Sequence, residues 1–214
     1  MVGSVTMSQD VDSLPRSARS HTPKGKLARE RILRASEPLF ADRGFYGTSM
    51  RDIAEASELP LASVVYHFAR KEKLYAAILG EIAEQLIGDM NAARVANPEA
   101  PLESAIRALI RWSVGNPGRN RLLMRELLDN HARVSRATAL PLTPVLTSLA
   151  AETTVPNPEV AVLHTVGAVA YVVAAWPTVK RMLGARREKE LMKDYEEDAM
   201  VLARRMLGIK EKKK

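Results

Sequence analysis

The chain is predicted to fold entirely as α-helices, about nine of them, with a small N-terminal three-helix unit followed by a larger C-terminal helical domain. Three observations point there. Apolar residues recur at helical spacing in most segments, as with Leu74, Ile78, Ile82 and Leu86. No stretch of useful length alternates apolar and polar residues as a half-buried strand would. Proline and glycine fall where the helical patterns start and stop, at Gly44, Pro60, Pro98, Pro101, Pro156, Pro158 and Gly184.

Residues 1–25 are rich in Ser, Thr, Pro and Gly and are expected to form a disordered basic arm. The first helix is expected from Lys26 to Arg43. Leu27, Ile32, Ala35, Leu39 and Phe40 form its apolar face, Pro38 should kink it or remove a backbone bond, and Gly44 should close it. Next comes TSMRDIAEASELPLASVVYHF, residues 48–68. It reads as two short helices, Ser49 to Ala56 and about Pro60 to Phe68, around the turn Ser57-Glu58-Leu59. Ser49 and Asp52 fit a capping box, in which each satisfies a backbone N–H of the other. Pro60 suits a first helical turn, where its missing N–H costs nothing. Val64, Val65 and Phe68 are expected to face inward, leaving Leu61, Ala62, Ser63, Tyr66 and His67 outward.

A helix of about Lys71 to Asn97 follows, then Leu102 to Val114. Asn116-Pro117-Gly118 reads as a turn before Arg119 to Asp129. Pro141 and Pro144 bracket another helix start. Glu159 to Leu183 is a long apolar helix, bent at Pro177, and Arg187 to Leu207 is a last amphipathic one. The longest apolar run, Val166 to Trp176, is too short to cross a bilayer. No signal peptide opens the chain, so a cytoplasmic protein without a membrane partner is expected.

At 214 residues, with 46% hydrophobic and 27% charged, the chain can bury a proper core. It has no cysteine, which excludes disulfides, thiol catalysis and cysteine metal sites. The net charge of +7 favours an anionic partner. Arg16, Arg19, Lys24, Lys26, Arg29, Arg31 and Arg34 concentrate that charge beside the two short helices. A second cluster at Lys210 and Lys212 to Lys214 reads as a solvated terminus.

Residues 29–75 resemble the DNA-binding domain of the TetR family of bacterial transcription regulators. The resemblance rests on Ile32-Leu33, Phe40, Gly44, Thr48-Ser49, Ile53-Ala54, Tyr66-His67-Phe68 and Lys71-Glu72-Lys73-Leu74, in order and at the family's spacing. It implies a DNA-binding domain over 26–86, with its motif at 49–68, and a ligand-binding and dimerisation domain over 87–214. The second motif helix would enter a major groove. The expected DNA contacts are Lys26, Thr48, Ser49, Leu61, Ala62, Ser63, Tyr66, His67 and Lys71; the resemblance implies that Lys71 touches phosphate. The chain departs from the family at Glu58, where glycine is usual, at Val65, where tyrosine is common, and at Leu61, often polar.

In the family the fourth to seventh helices hold an effector and the last two form a dimer. Leu86, Met90, Trp112, Met124 and Leu128 are the expected pocket residues. Val160, Leu163, Val166, Gly167, Ala170 and Val173 are the expected dimer interface. Arg119, Arg121, Arg125, Arg133 and Arg136 read either as a site for an acidic ligand or as a solvated basic face. His131 and His164 lack partners at metal-ligand spacing, so no metal, cofactor or catalytic residue is assigned. The expected function is a homodimeric repressor, released from a double-stranded, palindromic DNA operator by an unknown small-molecule effector. The alternatives are a nonspecific nucleoid-type binder and a small-molecule enzyme, the latter without any recognisable motif.

Overall fold

The computed structural model describes residues 23–129 and 142–210. Within them lie nine helices and no strand: α1 (Pro23–Arg43), α2 (Met50–Ala56), α3 (Leu61–His67), α4 (Lys71–Ala96), α5 (Pro101–Gly115), α6 (Pro117–Asp129), α7 (Thr143–Ala151), α8 (Pro158–Leu183) and α9 (Ala185–Leu207). Residues 1–22, Arg133, Arg136, His131, Pro141 and Lys212 to Lys214 lie outside the described residues, so the expectations placed on them go no further.

Several boundaries differ from the sequence reading. The first helix starts at Pro23, three residues into the expected arm, and Leu27 is 66% exposed and not part of its apolar face. Pro38 sits within α1 on its solvent side. Pro117 and Gly118 are helical, since a proline in the first turn forfeits no bond. Pro177 likewise lies inside α8.

The N-terminal unit packs α1 against α2 and α4, with α3 held by α2. Its centre is Ile32, Phe40, Ile53, Val64, Phe68 and Leu74, all buried. Phe40 and Tyr75 meet edge to face with centroids 5.0 Å apart, and Phe45 meets Tyr75 in the same way at 5.2 Å. The predicted stripe of α4 is buried along its length. α4 pairs with α5, and α8 packs on α5, α6, α7 and α9. At 26 residues, α8 is long and apolar enough by length and composition to cross a membrane, which corrects the estimate from the Val166–Trp176 run. Here it is the central helix of the C-terminal bundle.

The two domains are joined by more than α4. α6 lies against α1, and its arginines pair with α1 acceptors. Arg119 grips Glu37 through Nε–Oε1 at 2.8 Å and Nη2–Oε2 at 2.9 Å. Arg121 pairs with Asp42 at 3.0 Å, and Arg125 donates to the Asp42 carbonyl at 3.0 Å. Those three arginines are therefore neither an acidic-ligand site nor a solvated face.

Candidate nucleic-acid interface

The turn from α1 into α2 is stitched by two polar side chains. Gly44, at φ 73°, closes α1 and donates to the Phe40 carbonyl at 3.0 Å. The Thr48 hydroxyl reaches back to the carbonyls of Gly44 and Leu39, at 2.9 and 3.2 Å. Thr48 is only 1% exposed, so its hydroxyl is spent inside the fold and is not offered to a phosphate, against expectation. The Lys71 ammonium donates to the carbonyls of Phe45 and Thr48 at 2.7 and 2.8 Å and lies 4.3 Å from the Phe45 ring centroid. One of its three donors is left over. Lys71 is thus first a clamp on this turn.

Ser49 is the N-cap of α2, with the reciprocal capping box the sequence suggests. Its hydroxyl accepts from the Asp52 N–H at 3.2 Å, while the Asp52 carboxylate accepts from the Ser49 N–H and hydroxyl, both at 2.7 Å. The hydroxyl bond, then the backbone bond, hold the Asp52 carboxyl below its ordinary pKa, with Arg43 and Lys71 adding to the effect.

α2 ends in a paired C-cap. Leu59 N–H returns to the Ala54 carbonyl and Glu58 N–H to that of Glu55, both at 3.0 Å. This closure requires Glu58 at φ 50°, the left-handed region that favours glycine. The Glu58 carboxylate pairs with Arg31.

α3 follows at once, with Pro60 as N-cap at φ −56° and no side-chain cap. Val64 and Phe68 anchor it, and the Arg29 guanidinium lies 5.2 Å from the Phe68 ring centroid. Val65 is not inward as expected: it is 43% exposed. One residue beyond Val64 on a 3.6-residue helix, its side chain is turned about 100° from the anchored face. Leu61, Ala62, Val65 and Tyr66 are exposed, with Ser63 and His67 half-buried at the margin. Burial, then the nearby Arg29, push the His67 imidazole below its ordinary pKa, which keeps it neutral. The sequence reading also passed over Arg51 and Arg70, exposed cations on the helices flanking α3, and Tyr46, exposed on the α1–α2 turn. Lys26 is exposed on the first turn of α1.

In the C-terminal domain a cavity of about 80 Å³ opens between α4, α5, α6, α7 and α8. Leu86, Trp112 and Met124 line it, as expected. Met90 is buried in the core away from it, and Leu128 is exposed. Five of the expected dimer residues also belong to the protomer's own interior: Leu163, Val166, Gly167 and Ala170 line this cavity, and Val173 is buried in the core. Ala170 and Val173 are covered by the chain's own helices and are not available to a partner. Val160 and Leu163 remain at least half exposed, in company with Tyr171 and Met182 on α8 and Val201, Leu202 and Met206 on α9.

The sequence pattern of the bacterial regulatory proteins of the tetR family matches residues 32–78. An HTH-type transcriptional repressor of Mycobacterium tuberculosis is 35% identical over 118 residues, which is 55% of this chain and 56% of that one. The HTH-type transcriptional regulator RutR of Escherichia coli is 33% identical over 98 residues, 45% of this chain and 46% of that one. The chain thus matches about half the length of these curated relatives. Two transcriptional regulators from Rhodococcus sp. RHA1 share the fold, with TM-scores of 0.61 and 0.58 at 20% and 19% identity. They cover 84% and 86% of this chain, and 95% and 97% of their own. The matched segment begins in α1 and ends in α4, enclosing the whole helix–turn–helix, and residues 32–78 carry the sequence pattern of the tetR family of bacterial regulatory proteins.

Proposed function

We propose that the protein is a sequence-specific DNA-binding transcriptional regulator in the cytoplasm, a homodimeric repressor that leaves a palindromic operator when a small-molecule effector binds. The observation that carries this is α3: seven residues anchored by Val64 and Phe68, with Leu61, Ala62, Val65 and Tyr66 turned to solvent. A short helix held this way can enter a major groove. Its outer face is mostly apolar, suited to thymine methyl groups, with Ser63, Tyr66 and His67 as hydrogen-bonding groups. Arg51, Arg70 and the remaining Lys71 donor would meet phosphates on either side, with Ser49 and Lys26 farther out.

Two copies would pair through the exposed apolar face of α8 and α9, around Val160, Leu163, Tyr171 and Met206. Pairing sets two α3 helices apart, and an operator with half-sites about 34–36 Å apart would fit them. Release needs an effector that binds better to a spacing the operator rejects. Two elements reach both sites. α4 runs from Lys71 to Leu86 on the cavity wall, roughly 22 Å along a helix. α6 carries Met124 on the cavity and Arg119 on α1.

The test is selection of the purified protein on a pool of random duplexes at one fixed salt concentration, followed by sequencing. An enriched inverted repeat with half-sites one helical turn apart is the expected result. Binding without enrichment would replace this reading with that of a nonspecific nucleoid-type binder. No binding would remove DNA from the function.

A further inference from the structure

The outer face of α3 is built from few kinds of group. At helical spacing Leu61, Val65, Ala62 and Tyr66 follow one another around an arc of about 140°, and all four are exposed. Val64 lies outside that arc and is fully buried. Leu61 and Val65 stand four residues apart, so their methyl groups form one ridge about 6 Å long, roughly two base steps.

This helix lacks the side chains that read base edges by paired hydrogen bonds. A two-point contact with guanine takes the donors of Arg or Lys, and one with adenine takes the donor and acceptor of Asn or Gln. LASVVYH, the whole of α3, contains none of these. Ser63 and Tyr66 carry single hydroxyls, and the two His67 ring nitrogens point apart. Cations of the adjoining segments already have partners: Arg29 lies over the Phe68 ring, Arg31 pairs with Glu58, and Lys71 holds the Phe45 and Thr48 carbonyls. Arg51 and Arg70 are exposed on elements flanking α3, where they suit phosphates. The complement of an aliphatic ridge in a major groove is the one apolar group displayed there, a methyl on C5 of a pyrimidine.

We infer that α3 reads pyrimidine C5-methyl groups as such, so that 5-methylcytosine serves in place of thymine and cytosine methylation raises the affinity of a site. Leu61 and Val65 are the reading residues, each closing over one methyl. Taking one methyl out of water is worth about fourfold in affinity. The base that carries the methyl matters less. In the groove 5-methylcytosine differs from thymine by an amino donor in place of a carbonyl acceptor, and a hydroxyl such as that of Ser63 serves either. The inference rests on the DNA-binding function proposed above and adds to it a dependence on the methylation state of the duplex.

The experiment uses the full chain and the operator enriched from the random pool, with affinity read by fluorescence anisotropy at one salt concentration. Changing the DNA and not the protein keeps folding out of the result. Each thymine in turn is replaced by uracil, which removes only the methyl. The expected result is a loss of about fourfold at two positions in each half-site. At those positions 5-methylcytosine paired with guanine should bind about fourfold tighter than cytosine. Val65→Ala should erase the uracil loss at one of the two positions and leave the other as it was. Equal affinity for thymine and uracil throughout, equal affinity for 5-methylcytosine and cytosine, or uracil losses unchanged in Val65→Ala would each overturn the inference while the operator stands. So would a larger loss on replacing guanine by 7-deazaguanine, which lacks the N7 acceptor. A pool that yields no operator would overturn both this inference and the reading it rests on.

Discussion

Arg119 on α6 and Glu37 on α1 form a two-pronged ion pair, Nε to Oε1 at 2.8 Å and Nη2 to Oε2 at 2.9 Å, across the seam between the two domains. Both side chains are about seven-tenths buried, and the carboxylate bonds raise the guanidinium pKa. Arg119→Gln should lower stability by about 1 kcal/mol, a figure that discounts a charge-assisted bond for its partial exposure. Arg119→Lys should recover less than half of that, because an ammonium has no fork to match the carboxylate. Urea melts of the three proteins decide the point. Equal midpoints for all three would mean the seam is held by apolar contact alone.

Glu58 carries a backbone conformation meant for glycine, at φ 50°. Its exposed ion pair with Arg31 offsets little of that cost. Glu58→Gly should stabilise the protein by about 1 kcal/mol. Arg31→Ala alone should shift stability by only a few tenths of that. A Glu58→Gly protein that melts below the parent would show that the carboxylate outweighs the strain.

Val64 and Val65 are neighbours with opposite duties. Val64 is fully buried, so Val64→Ala should cost about 2 kcal/mol. Val65→Ala should change stability by less than about 0.5 kcal/mol, as a half-exposed position does. If α3 reads DNA, Val65→Ala should weaken operator binding by about tenfold while leaving binding to random duplex unchanged, a loss of order 1 kcal/mol of base contact. Equal loss on both duplexes would place Val65 outside base recognition.

His67 makes stability depend on pH. Burial favours its neutral form, so its folded pKa lies below the ordinary value of 6.5. In the window beneath that value the unfolded chain takes up a proton that the folded chain refuses. Stability should therefore fall as pH drops through and below about 6.5, until the folded imidazole itself protonates, and be flat above. His67→Gln should remove this part of the slope. Paired melts of parent and variant at about pH 7.5 and about pH 5.5 measure it; identical pH dependence in the two would exclude His67 as its source.

What the sequence made legible was local. Ser49 and Asp52 stand three residues apart and find each other at a helix start, so their capping box needs no knowledge of the fold. Gly44 and Glu58 were readable for the same reason. Thr48 and Lys71 were not. Their partners are backbone carbonyls on a turn, and Lys71 reaches 26 residues back to find Phe45. Val65 was misplaced because two helical turns carry too little periodicity to separate two adjacent valines. α8 posed the opposite difficulty: it is apolar nearly all round, so only the packing of α5, α6, α7 and α9 shows that Ala170 and Val173 are covered and Val160 is not. The arginines of α6 looked like an unpaired basic face because Glu37 and Asp42 lie about eighty residues away in the chain.

An isolated helix of seven residues with no side-chain cap has almost no stability in water. α3 owes its shape to Val64 and Phe68, not to the residues it displays. Ala62 and Val65 are thus light in folding, and single changes there cost the protein little. Mutation can rewrite what this surface reads while the scaffold beneath stays the same. Duplicated copies of such a chain can drift to new targets one substitution at a time, each step passing through a fully folded protein.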